Sequence, residues 1–112
     1  MEDAKVVAIR KVNDTFRTTF LPVFGKVMMT IGFKALDAVD QSNAITLIRE
    51  FKAFTEDNDP HGEHDFGAVD EAGVRCFFKI DYYDRKTEFG SPDPADPAVT
   101  TRVLTIMLAD EY

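Results

Sequence analysis

The sequence predicts an α+β fold: a small antiparallel β-sheet, made of a three-stranded meander plus one short strand, packed with three α-helices. Three observations carry this expectation. Apolar residues recur at helical spacing near the N-terminus, strict two-residue alternation appears mid-chain, and Pro and Gly clusters separate the segments. At 112 residues the chain is read as a single α+β domain over residues 1–112, large enough for one core. Core material is ample, since 45% of the residues are hydrophobic and 10 are Phe.

Ala4 to Phe20 is expected to be helical because Val6, Ile9, Val12 or Asn13, Phe16 and Phe20 recur at steps of three and four. Lys5, Arg10, Lys11 and Arg17 take the other side. Pro22 stops this helix, because its ring removes a donor and restricts the preceding residue. Gly25 to Gly32 is a short apolar run between glycines whose Val, Thr and Ile favour a strand. A second helix is expected over Asp40 to Phe54, with Ala44, Leu47, Ile48, Phe51 and Phe54 on one face and Asp40 as its N-cap.

Beyond an acidic loop the period changes to two. Phe66, Ala68 and Asp70 alternate, Glu71-Ala72-Gly73 turns the chain, and Val74, Cys76, Phe78, Ile80 and Tyr82 form one face of a long strand. Arg75, Phe77, Lys79, Asp81 and Tyr83 form its other face, the pattern of a strand buried on one side and wet on the other. Asp84-Arg85-Lys86 then turns into a short strand from Thr87 to Phe89, stopped by Gly90, which completes the expected meander. The prolines at 92, 94 and 97 preclude a central strand there. Asp96 followed by Pro97 has the form of a helix start, so a last helix is expected from Pro97 to near the C-terminus, with Val99, Val103, Leu104, Ile106, Met107 and Leu108 as a broad apolar face.

The formal net charge of -7 argues against a direct nucleic-acid binder, whose affinity is dominated by phosphate neutralisation, and against docking on an anionic membrane. It favours a basic partner: a nucleic-acid-binding protein, a cationic ligand or a metal ion. No apolar run approaches the roughly 20 residues of a membrane span, and the opening Met1-Glu2-Asp3 lacks the basic start of a secretory signal. Cys76 is the only cysteine, which excludes an intramolecular disulfide and fits a reducing compartment, so a cytoplasmic location is expected.

Candidate chemistry concentrates between Glu56 and Gly67, where both histidines stand among five carboxylates, with no Lys or Arg from Ala53 to Val74. The stretch from Asp57 opens like a calcium loop, but its fifth position is His61 and its twelfth is Ala68, where a bidentate Glu is needed. Asp59, His61, Glu63 and His64 offer N and O donors for a transition metal, although their spacing fits no standard zinc pattern. His64 beside Asp65, with Asp81 on the next strand, could hold an imidazole as a general base. Cys76 alternates onto the buried face and is a poor nucleophile. No glycine-rich phosphate cradle is present. The loop also reads as a structured connector, because Asp57, Asn58 and Asp59 before Pro60 are turn formers. Phe77, Lys79 and Tyr83 interleave aromatic and charged groups on the wet strand face, as a contact surface does; burial under the N-terminal helix is the competing explanation.

Three stretches carry a resemblance: Asn58-Asp59-Pro60-His61-Gly62-Glu63-His64-Asp65-Phe66-Gly67, Phe78-Lys79-Ile80-Asp81-Tyr82-Tyr83-Asp84, and Gly90-Ser91-Pro92-Asp93-Pro94-Ala95-Asp96-Pro97 with Arg102 to Ala109. With these the chain resembles a family of short uncharacterised bacterial proteins, a domain of unknown function whose members look as if drawn from plasmids and other mobile elements. The resemblance implies a bacterial cytoplasmic protein and brings no catalytic residues to these positions. Small acidic proteins of that origin include inhibitors of host defence nucleases.

The leading reading is a non-enzymatic, cofactor-free protein-interaction module. Glu56, Asp57, Asp59, Glu63, Phe77, Lys79 and Tyr83 would engage a protein with a basic surface, such as a nucleic-acid-handling or defence enzyme. The alternative is a small metal-dependent or acid–base hydrolase centred on the loop, with His64, Asp65 and Asp81 catalytic or with Asp59, His61, Glu63 and His64 on a metal. A chemical site should draw these side chains together, whereas a binding face should splay them outward.

Overall fold

The computed structural model describes residues 2–112. Its elements in chain order are α1 (Ala4–Thr19), β1 (Gly25–Met29), the single-turn α2 (Ile31–Lys34), α3 (Ala38–Arg49), β2 (Phe66–Glu71), β3 (Val74–Tyr83) and β4 (Thr101–Leu108), with short 3-10 turns at Pro97–Val99 and Ala109–Glu111. The architecture is α+β: three helices and a four-stranded mixed sheet in the order β1-β4-β3-β2. β2, β3 and β4 form the antiparallel part, and β1 joins β4 in parallel.

The first helix forms where its periodicity places it. Asp3 caps its start by accepting from the Lys5 amide, and Phe20 ends it in the left-handed region, with φ 57°. One assignment on this helix is corrected: Arg17 lies on the buried side with Ile9, Asn13 and Phe16, not on the wet side. The predicted strand at Gly25 stops at Met29, because the Thr30 side chain caps α2 by accepting from the Phe33 amide. Gly25 is required by its neighbour, since a Cβ there would lie 1.9 Å from the Arg102 carbonyl oxygen. The second predicted helix is shorter than expected and starts earlier. It covers Ala38–Arg49, so Asp40 falls in its first turn and Phe51 and Phe54 lie beyond its end.

Two further expectations are overturned together. Thr87 to Phe89 is no strand; the segment turns with Thr87 at φ 56°, leaving one isolated bridge between Tyr83 and Gly90. The third strand of the antiparallel part is β4, in the place where a helix was expected. Asp96 does cap, accepting from the Ala98 amide, but the turn it starts ends at Val99. From Thr101 onward Arg102, Leu104 and Ile106 point inward, while Val103 and Thr105 point to the other face. The physical reason is that a short apolar run with material on both faces carries no periodic bias, and its length and β-branched content suit a strand inside a sheet.

All three helices lie on one side of the sheet. Phe16 of α1, Phe33 of α2, and Ala44 and Ile48 of α3 share one core with Val69, Cys76, Phe78, Ile80, Leu104 and Ile106. The predicted register of β3 is therefore the observed one, with Cys76, Phe78 and Ile80 buried. Phe77, Lys79, Asp81 and Tyr83 are on the opposite face, paired across to Met107, Thr105, Val103 and Thr101.

The C-terminal turn is tied to the start of α2 through Glu111, whose carboxylate accepts from Thr30 Oγ1 at 2.6 Å, the Leu108 amide at 2.8 Å and the Gly32 amide at 2.9 Å. These donors hold its pKa below the ordinary 4.5, the Thr30 hydroxyl most of all. A lowered acid stabilises the fold above its unfolded pKa, and that contribution is lost as pH falls through the folded value. We expect the Gly32 and Leu108 amides to be better protected from exchange in wild type than in Glu111→Gln at neutral pH, with the difference vanishing in acid. Equal protection at neutral pH would refute the tie.

Candidate functional site

The acidic loop is pinned onto α1 rather than projecting from the molecule. Arg10, Asn13, Asp14 and Arg17 recur at i, i+3, i+4 and i+7, which puts four polar side chains on one stripe of the helix. Arg10 Nη1 donates to the Gly62 carbonyl at 3.1 Å, and the same guanidinium pairs with Glu2. Asn13 Nδ2 donates to the Glu63 carbonyl at 3.0 Å. His64, at φ 57°, turns its Nδ1 to the Asp14 carboxylate at 2.9 Å and stacks flat on Phe54, with ring centroids 3.8 Å apart.

Inside the loop, Thr55 and Asn58 bond each other's backbone amides through their side chains, and Asn58 also donates to the Ala53 carbonyl. Asp59 is only 8% exposed, because its carboxylate accepts from the His64 amide and lies 3.7 Å from His64 Nε2. Both ring nitrogens of His64 thus face carboxylates. Such a ring is held in place as a latch, between two carboxylates and against the Phe54 ring.

A second layer lies beneath the latch. Tyr82 donates to Glu63 Oε1 at 2.7 Å and accepts from Asn13 Nδ2 at 2.8 Å. Arg102, fully buried, donates from Nε to Asn13 Oδ1 at 2.6 Å and from Nη2 to the Pro94 carbonyl at 2.6 Å, with its guanidinium 5.1 Å over the Tyr82 ring. Burial and the bond to Glu63 push the Tyr82 phenol pKa up, and burial pulls that of Arg102 down. Asp65 is half-buried, and desolvation followed by the Glu63 charge raises its carboxyl.

The residues singled out in the sequence separate into three groups. Asp59, Glu63 and His64 turn inward, each bonded as described. Glu56, Asp57 and His61 remain exposed. Asp81 lies on the far face of the sheet in an ion pair with Lys79 at 3.0 Å, so His64, Asp65 and Asp81 do not converge. Among the described residues no group of three or more His, Cys, Asp or Glu side chains is placed to hold a metal ion. Burial raises the Cys76 thiol pKa, as its inward position requires. Asn13, Asp14, Arg17, Tyr82 and Arg102 were not among the site residues expected from the sequence, although the polar stripe on α1 was a usable signal.

On the opposite face of the sheet the aromatic groups gather. Phe77 packs against Phe66 at 5.0 Å and Tyr112 at 5.7 Å between ring centroids, and Phe66 meets Tyr112 at 5.6 Å. Lys79, Asp81 and Tyr83 continue that face, half-buried, with Met28 of β1 about half exposed beside Thr105. The N-terminal helix packs on the other side, so it does not cover Phe77 and Tyr83.

Compared with known families, residues 29–111 match the model described as Protein of unknown function (DUF3768). The chain belongs to this family. The DUF3768 match covers the acidic loop, β2, β3 and β4, and leaves Asn13, Asp14 and Arg17 of α1 outside it. Comparison with curated proteins and with solved structures gave no match. Among the described residues no helix is long and apolar enough to cross a membrane.

Proposed function

We propose that this protein is a protein-binding module that docks a basic partner on the helix-free face of its sheet. One observation carries the reading. Every helix packs on the same side, while Phe66, Phe77, Tyr83 and Tyr112 stand with Lys79 and Asp81 on the side no helix covers. Aromatic groups ringed by charge are the composition of contact surfaces. The net charge of -7, with Glu56 and Asp57 exposed, selects for a partner of opposite sign and speeds its encounter. Asp59 and Glu63 leave this surface, because both are engaged with the protein itself. A nucleic-acid-handling enzyme is the partner class we favour, since its phosphate-binding surface is basic.

The test is affinity capture from the native host, followed by association kinetics with the captured protein. A basic protein should bind wild type, and Asp81→Lys with Tyr83→Ala should weaken it by about tenfold or more. Glu56→Lys with Asp57→Lys should slow association and reduce its salt dependence while leaving dissociation nearly unchanged. A partner that binds the sheet-face variant as tightly as wild type would refute the reading.

A further inference from the structure

A cleft on the helix side of the molecule, away from the open sheet face, has its own chemistry. It holds about 230 Å³ and is lined by Asp14, Arg17 and Thr18 of α1, Arg49 at the end of α3, Phe51, Lys52 and Phe54 beyond it, and His64. Three cations against one carboxylate is an unusual balance for a chain with 20 acidic and 13 basic residues. We infer that this cleft binds a small organic anion, a carboxylate or phosphate carried on a flat apolar group.

Each part of the cleft has a role in that recognition. Arg17 is only 3% exposed, with Nη1 on Asp14 at 3.1 Å and Nη2 on the Phe51 carbonyl at 3.1 Å, while its buried Nε has no partner among the described residues. Its guanidinium sits 5.2 Å from the Phe54 ring centre, so the cation and the apolar wall are one unit. Arg49 spends Nε and Nη2 on the Thr18 carbonyl, at 3.1 and 2.9 Å, which holds the side chain at the rim and leaves Nη1 for a ligand. Lys52 is exposed and takes part in none of the ion pairs among the described residues.

Phe51 and Phe54 supply the apolar surface, and His64, stacked on Phe54, closes one end. A neighbouring cleft shares Thr18 and Arg49 and adds Glu50 on its own side. The volume is below the roughly 300 Å³ where drug-sized sites begin, so the ligand is a small one. A rim of cations above an aromatic wall favours an anion with a planar body, because the ring is desolvated where the charge is paired.

The probes are phenyl phosphate and benzoate, with inorganic phosphate and neutral benzamide as comparisons, titrated into the intact protein and followed by amide chemical shifts. Saturable shifts are expected at Thr18, Lys52, Phe54 and His64 with at least one of the two aromatic anions. Benzamide and inorganic phosphate should each bind at least about tenfold more weakly, lacking respectively the charge and the ring. Lys52→Glu, at an exposed position with no ion-pair partner among the described residues, should keep the fold and weaken the anion by about tenfold, and Arg49→Gln should weaken it similarly. The inference is overturned by shifts that fail to saturate at these residues, by inorganic phosphate matching phenyl phosphate, or by unchanged affinity in a folded Lys52→Glu protein.

Discussion

Replacing Phe78 by Ala should destabilise the protein by about 3–5 kcal/mol, the range of large-to-small changes at fully buried aromatic positions. Phe78 has no exposed surface and stands at the centre of the core. Its ring meets Phe51 edge-on at 5.5 Å and Phe54 at 6.4 Å, and the Arg17 guanidinium lies 5.6 Å from its centre. Gly67 on the neighbouring strand makes room for it, since a Cβ there would come within 2.4 Å of Phe78 Cε2. Removing the ring leaves a void bordered by groups that cannot collapse far, because Phe51 and Arg17 are bonded to each other through the Phe51 carbonyl. Phe77→Ala, on the open face, should cost clearly less, about 1–2 kcal/mol, because that ring is half-buried. Denaturant melts of the two variants decide the matter. A larger loss at Phe77 would mean that the strand presents the opposite face to the helices.

Arg102 is the second position where a single change should be severe. Arg102→Ala is expected to cost about 3–5 kcal/mol, by combining a cavity with two orphaned acceptors. The acceptors are Asn13 Oδ1 and the Pro94 carbonyl, one on α1 and one in the segment before β4. Arg102→Met keeps much of the volume and removes the charge with its desolvation cost, so it should recover part of that loss. The buried Nη1, which has no partner among the described residues, makes this recovery larger than for a fully satisfied arginine. Thermal and denaturant melts of the two variants, with amide exchange along α1, check the expectation. Met costing as much as Ala would show that hydrogen bonds dominate, and near-zero costs for both would remove Arg102 from the structural argument.

Much of the frame could be read locally. The alternation from Val74 to Tyr83 placed Cys76, Phe78 and Ile80 inward, and they are. The first helix, the capping role of Asp96 and the turn chemistry around Asn58 were also legible, because each depends on residues only a few positions apart. The candidate sites were only half legible. Phe77 and Tyr83 were visible as the outward side of an alternating strand, whereas the inward turn of Asp59, Glu63 and His64 was not. Asn13 and Asp14, the α1 partners of Glu63 and His64, stand about fifty positions earlier, and nothing in the loop's own composition names them.

The sequence by itself determined that the chain is α+β, which residues of β3 enter the core, and that the chain carries a formal net charge of -7. Tertiary structure decided that Thr101 to Leu108 is a central strand instead of a helix, that β1 pairs with it in parallel, and that Arg17 and Arg102 are buried. The division has a physical cause. Side-chain period and capping act over a few residues and are written in local order. Strand partners, and the acceptors that make a buried guanidinium tolerable, come from distant parts of the chain: Arg102 meets Asn13 across 89 positions, and only the assembled sheet and helix bring them together.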